Sequence, residues 1–124
     1  MVIDTSILIR FLRATYKDRT YFGKIQKGAK LYVSVITVFE LYMGANSSQQ
    51  EFEIQDVLSK VEILPLTSEI AIDAGKTYNY LQRMGQTVEF RDVMIGVTAL
   101  YYKLPVKTEN TNHFSRIKGL ILIE

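Results

Sequence analysis

The 124-residue chain has no cysteine, one histidine, two prolines and seven glycines. Without thiols there is no disulfide framework, no zinc ribbon and no thiol nucleophile, so any metal must be held by oxygen ligands helped by at most one imidazole. A lone His113 argues against RNA cleavage by a pair of imidazoles. No Gly-x-Ser-x-Gly elbow is present and His113 lies in a polar stretch, which disfavours a Ser-His-Asp triad. Gly23, Gly28 and Gly44 are isolated rather than gathered into a phosphate-cradling loop, so NTP hydrolysis is not favoured. Asp4 is followed by Thr5 and Ser6 rather than by a second acid, against an aspartyl-phosphate hydrolase. No apolar run approaches the roughly 20 residues that cross a bilayer, and the chain opens in a strand pattern instead of a leader. A cytoplasmic protein with no membrane partner is therefore expected. Charge of one sign is also scarce: 15 lysines and arginines against 13 acids, a formal net charge of +2, permits nucleic acid without demanding it.

What is present is enough for one ordinary domain over residues 1–124. At 48% hydrophobic content, a chain of this length buries roughly two-thirds of its unfolded surface. Short apolar segments alternate with helical patterns. Strands are expected at the start, at Leu31 to Val35, Val61 to Leu66, Leu104 to Thr108 and Leu120 to Ile123. Helices are expected at Ile7 to Arg13, about Asp18 to Lys27, Thr37 to Gly44, Ser47 to Ser59, from Thr67 to Gly85, and Val93 to Tyr102. This alternation predicts an α/β fold, a three-layer α/β/α sandwich on a mostly parallel sheet of about five strands. The helix after Asp92 is apolar almost all round, so it should be buried on two sides, by the sheet and by a partner copy in a dimer.

Three carboxylates, Asp4, Glu40 and Asp92, fall where a short apolar strand is expected to hand over to a helix. Each has an ordinary explanation. Acids near helix N-termini meet the positive end of the macrodipole, Thr37-Val-Phe-Glu40 fits a capping box, and Asp4 can cap the helix after it. Their recurrence at successive junctions points further, because a parallel sheet collects such junctions at its carboxyl edge, where ligands bind. Clustered carboxylates repel unless a cation joins them. Hard oxygen ligands suit Mg²⁺ or Mn²⁺, which assist phosphodiester hydrolysis. Arg10, Arg13 and Lys17 recur at helical spacing behind Asp4 and, with Arg91, are candidate phosphate contacts, the ordinary alternative being a solvated face. Tyr16, Tyr21, Tyr42, Tyr78 and Tyr80 are candidate base-stacking rings, though packing is the commoner role.

The segments Val2-Ile-Asp4-Thr-Ser-Ile-Leu-Ile9, Ser34 to Gly44 with Glu40, Gly85 to Leu100 with Asp92, and Thr108 to Gly119 resemble the PIN-domain family, and within it the VapC-type toxins of toxin-antitoxin pairs. The resemblance covers essentially the whole chain in order. It implies an Mg²⁺- or Mn²⁺-dependent endoribonuclease acting on structured RNA such as tRNA or rRNA, a homodimer, and a VapB-like antitoxin partner. Asp4, Glu40 and Asp92 match the family's most characteristic acids. The fourth acidic position falls on Asn110, an amide that can ligate but carries no charge, which implies weaker metal affinity or one metal instead of two. Phe90 likewise stands, with Glu89 beside it, where some relatives have a further polar residue. Thr5, Ser6 and Thr108 are the candidates for orienting the carboxylates. A housekeeping RNA-processing nuclease and a nuclease-silent binding module are the alternative readings.

Overall fold

The structure, a computed structural model, describes residues 1–124. Its strands are β1 (Val2–Ile3), β2 (Tyr32–Ser34), β3 (Glu62–Leu64) and β4 (Val106–Lys107). The helices are α1 (Thr5–Arg13), α2 (Tyr21–Ile25), α3 (Val35–Met43), α4 (Ser48–Leu58), α5 (Ser68–Arg83), α6 (Phe90–Tyr101) and α7 (Thr111–Phe114), with a 3-10 turn at Lys17–Arg19. The strands lie in the order β3-β2-β1-β4 and every pairing is parallel.

Successive strand residues point to opposite faces, and the two residues of β1 show the consequence. Val2 joins a core with Ile70, Ala74 and Leu81 of α5, Val93 and Ile95 of α6, and Phe114. Ile3 joins a second core with Ile7, Leu8 and Phe11 of α1, Phe22, Leu41 and the α4 residues Ile54 and Val57. The sheet is thus the middle layer of an α/β/α sandwich. α1 buries Ile7, Leu8 and Phe11, the i, i+1, i+4 spacing of one helical face.

Four local differences from the sequence reading have physical causes. Leu120 to Ile123 forms only one parallel bridge, Val106 to Leu122, so the sheet has four strands and a bridge where about five strands are expected. The helix expected over Asp18 to Lys27 is interrupted because Thr20 takes an extended backbone and caps α2, its Oγ1 accepting the Gly23 N–H. Gly23 is required there: a Cβ on it would lie 2.0 Å from the Lys17 carbonyl oxygen. The third difference is at α3, which starts before Thr37. Ser34 is its N-cap, accepting from the Ile36 N–H, and the Thr37–Glu40 capping box does not form. Finally, the second buried side of α6 is filled from within the chain, by α5 and by the segment after α7. Gly96 allows the latter approach, since a Cβ there would meet Ile117 Cδ1 at 2.5 Å.

Candidate active site

The junctions β1–α1 and β2–α3 are adjacent because β1 pairs with β2 in parallel, and β4 delivers Thr108 to the same edge from the other side. Asp4 holds the N-cap position of α1, yet its side chain makes no capping bond. Its carboxylate is instead buried, 2% exposed, and Oδ2 accepts from Ser6 Oγ at 2.8 Å and Thr108 Oγ1 at 2.7 Å. Those hydroxyls are themselves held: Ser6 Oγ accepts the Glu109 N–H, and Thr108 Oγ1 accepts the Asn110 N–H at 2.9 Å. The helix-cap explanation for Asp4 is thereby set aside.

Glu40 projects from α3 and is half-buried. Thr5 Oγ1 donates to its Oε1 at 2.8 Å and lies 2.9 Å from Thr37 Oγ1. A hydroxyl has one proton to give, so with Thr5 donating to Glu40, Thr37 must donate to Thr5. The result is a Thr37–Thr5–Glu40 relay that leaves Oε2 free. Thr37 belongs to this relay and not to a cap, a role signalled only by its position one helical turn before Glu40. Asp92 lies in the first turn of α6, which follows α5 through a loop and not the strand expected from sequence, and the cap is Glu89, whose carboxylate accepts the Arg91 N–H. The Asp92 carboxylate receives no hydrogen bond from the chain.

These environments leave the acids electrostatically linked. Burial pushes the Asp92 carboxyl up to about 7, aided by the negative charges of Asp4, Glu89 and Glu40 and opposed by Arg91. Burial also raises Glu40, against the Thr5 hydrogen bond, with Asp4 adding to the rise. Glu89, beside Phe90 in sequence, thus contributes to the field. Phe90 itself is 54% exposed.

The structure places the remaining candidates unequally. Asn110 is exposed at the N-cap position of α7, and its side chain makes no capping bond. Arg10 is paired with Glu109, and Arg91 Nε donates to Glu89 Oε1 at 2.9 Å. Lys17 does not reach the site as a free cation. Its Nζ donates to the carbonyls of Phe11, Leu12 and Ala14 at 3.1, 2.7 and 3.2 Å, closing the C-terminus of α1, where the helix carbonyls attract a cation. Arg13 has no acidic partner within ion-pair distance and lines a pocket of about 150 Å³ that includes Glu40.

The donor set of Asp4, Glu40 and Asp92 is all oxygen, and hard divalent cations favour such sets. As placed, the three do not close to ligating distance around one point. No cationic side chain bridges the three, and the Asp92 carboxylate has no hydrogen bond from the chain to hold it in place. The chemistry of the residues fits a divalent metal in an open arrangement.

The whole-chain comparison agrees with this architecture. The family model for the PIN domain matches residues 1–120, and the chain belongs to the PIN-domain family, in its VapC branch. Ribonuclease VapC1 of Methanocaldococcus jannaschii is 29% identical over 118 residues, covering 95% of this chain and 81% of the relative. The tRNA(fMet)-specific endonuclease VapC of Shigella flexneri is 29% identical over 126 residues, covering 96% and 92%. The crystal structure of DNA-bound VapBC from Salmonella typhimurium superposes with a TM-score of 0.82 at 27% identity, over 98% of this chain and 95% of that one. No helix is long and apolar enough to cross a membrane.

Proposed function

We propose that this chain is a cytoplasmic, single-domain endoribonuclease that uses Mg²⁺ or Mn²⁺, and that it is the toxin of a VapBC-type pair. The observation that carries the reading is the coupled carboxylate group of Asp4, Glu40 and Asp92, gathered at the carboxyl edge of the sheet with the Asp92 carboxyl pushed up to about 7. Names of relatives add direction. VapC ribonucleases of Methanocaldococcus jannaschii and Shigella flexneri match 95% and 96% of this chain, and the Salmonella neighbour is a DNA-bound VapBC.

Asp4 and Asp92 would hold the cation, with the Asn110 amide oxygen as a neutral contributor. A divalent ion held there neutralises charge on the phosphodiester and favours ionisation of a water near neutral pH. Asp4 is preset for its role, since Ser6 and Thr108 both donate to Oδ2 and leave Oδ1 without a side-chain partner. Glu40 is preset in the same way, because Thr5 occupies Oε1 and Oε2 remains to take the proton of the attacking water. Its raised proton affinity brings it nearer the range of an effective general base. Partners in this reading are a structured RNA of the tRNA or rRNA class, a VapB-like antitoxin and a second copy of the chain.

The test is calorimetric titration of Mn²⁺ into wild type and Asp92→Asn, with RNA cleavage assayed in the same samples. Binding and cleavage lost together in the variant support the assignment. A wild type that neither binds Mn²⁺ nor cleaves RNA overturns it and favours a nuclease-silent binding module. Growth arrest on expression that Asp4→Ala relieves separates a toxin from a housekeeping nuclease.

A further inference from the structure

We propose that the groove between α1 and the turn at Tyr16 to Thr20 is a subsite for an unpaired stretch of RNA, with Arg13 and Arg19 on phosphates and Tyr16 stacking a base. The inference rests on the nuclease reading and names the part of the substrate that reading leaves open. The groove has a volume of about 550 Å³, and its lining includes Ser6, Arg10, Arg13, Arg19 and Glu109.

Its charge is the first argument. Three arginines face one depression, and only Arg10 is neutralised, by Glu109. Arg13 and Arg19 are exposed and take part in none of the molecule's ion pairs. Two unpaired guanidiniums beside a site read as hydrolysing phosphodiesters match the backbone of its substrate. Continuity is the second argument. Ser6 lines the groove and donates to Asp4 Oδ2, so the groove wall is one hydrogen bond from the acidic cluster. Arg13 also lines the pocket containing Glu40 and stands between the two depressions.

An exposed ring lies beside these cations. Tyr16 is 61% exposed although the Arg19 guanidinium carbon lies 4.6 Å from its ring centroid. A tyrosine this exposed next to guanidiniums that have no acidic partner suits a single strand, whose bases offer open faces for stacking. A duplex hides those faces, and an acidic peptide has no use for the ring. The turn is also held in place before any ligand arrives. Lys17 ties it to the end of α1, and Thr20 Oγ1 donates to the Lys17 carbonyl while accepting the Gly23 N–H. Lys17 is thus the scaffold of the groove, and Arg19, which sequence spacing does not single out, is its cation.

The experiment is fluorescence anisotropy in chelator, which suppresses cleavage, with a fluorescein-labelled ten-nucleotide unpaired RNA containing all four bases and with its perfect duplex. Wild type should bind the single strand more tightly. Arg13→Ala and Arg19→Ala should each reduce the slope of log affinity against log salt by about 0.7. Tyr16→Ala should weaken binding on the order of tenfold with the slope unchanged, and Tyr16→Phe should retain it. Preference for the duplex overturns the proposal, as does unchanged binding by Tyr16→Ala. Polyglutamate competing as well as RNA also overturns it and makes the groove an acidic-peptide site. Wild type that shows the expected binding in chelator but does not cleave with Mn²⁺ refutes the nuclease reading, a result distinct from failure of the groove.

Discussion

Replacing Asp92 by asparagine should make the metal-free protein more stable at pH 8, the reverse of the usual effect of altering a half-buried polar residue. The Asp92 carboxyl rises from an ordinary 3.8 to about 7 in the fold. Between about pH 4 and pH 7 the native state therefore holds a proton that the unfolded chain has lost. The stability associated with the neutral acid is fully present below the lower value and is lost as pH rises through the upper one. At about 1.4 kcal/mol per pH unit, the ionised group would cost the native state at most about 4 kcal/mol at pH 8. Partial exposure of the carboxylate lowers this to on the order of 2 kcal/mol. Asparagine keeps the shape without the charge and gives up no hydrogen bond, so Tm should rise by roughly 6–10 °C for a domain of this size. Thermal unfolding followed by circular dichroism in chelator at pH 8 and pH 5 measures the difference, which should fall to under half its size at pH 5. Adding Mn²⁺ should invert the order, because only wild type gains stability from binding. An Asp92→Asn protein with the Tm of wild type at pH 8, or equally stabilised at both pH values, would refute the argument that buried like charges strain this edge of the sheet.

Other substitutions separate positioning from folding. Thr5→Val removes the proton donated to Glu40 Oε1 and interrupts the relay from Thr37. RNA cleavage should fall by about tenfold to a hundredfold in kcat with Mn²⁺ affinity nearly unchanged, and Thr5→Ser should restore most of it. Thr108→Val leaves the buried Asp4 carboxylate with Ser6 as its one donor, and urea denaturation at pH 8 should show a loss of about 1–3 kcal/mol. Gly23→Ala places a Cβ against the Lys17 carbonyl and should cost about 1–3 kcal/mol by the same assay, since backbone has to move. Lys17→Met gives up the contacts with three carbonyls at the end of α1. It should lower stability by about 1–2 kcal/mol without altering the salt slope of RNA binding, the opposite pattern to Arg19→Ala.

The sequence by itself determined the layer order and the placement of acids along it. Alternation of short apolar segments with helical patterns can be satisfied only by burying a sheet between helices, so the α/β/α architecture is legible before any coordinates. The same alternation places Asp4 and Glu40 at strand-to-helix junctions and Asp92 at the start of a helix that is apolar almost all round. Weak local signals misled where two caps compete. Thr37-Val-Phe-Glu40 has the pattern of a capping box, but Ser34, at the end of β2, starts the helix first. The last apolar segment has the composition of a strand, yet it finds only one bridging position beside β4.

Only the tertiary structure decided which groups touch. Thr108 lies 104 residues from Asp4 and Thr5 lies 35 from Glu40, and no spacing rule links residues so far apart. Their contact follows from parallel pairing of β4, β1 and β2. The same holds for the basic residues: Arg10, Lys17 and Arg19 look alike in sequence, but one is paired with Glu109, one closes a helix and one lies over an exposed tyrosine. Local sequence sets backbone preference through forces that act within a turn or two of chain. Hydrogen bonds and burial act through space, and the proton affinities of the acids are theirs to set.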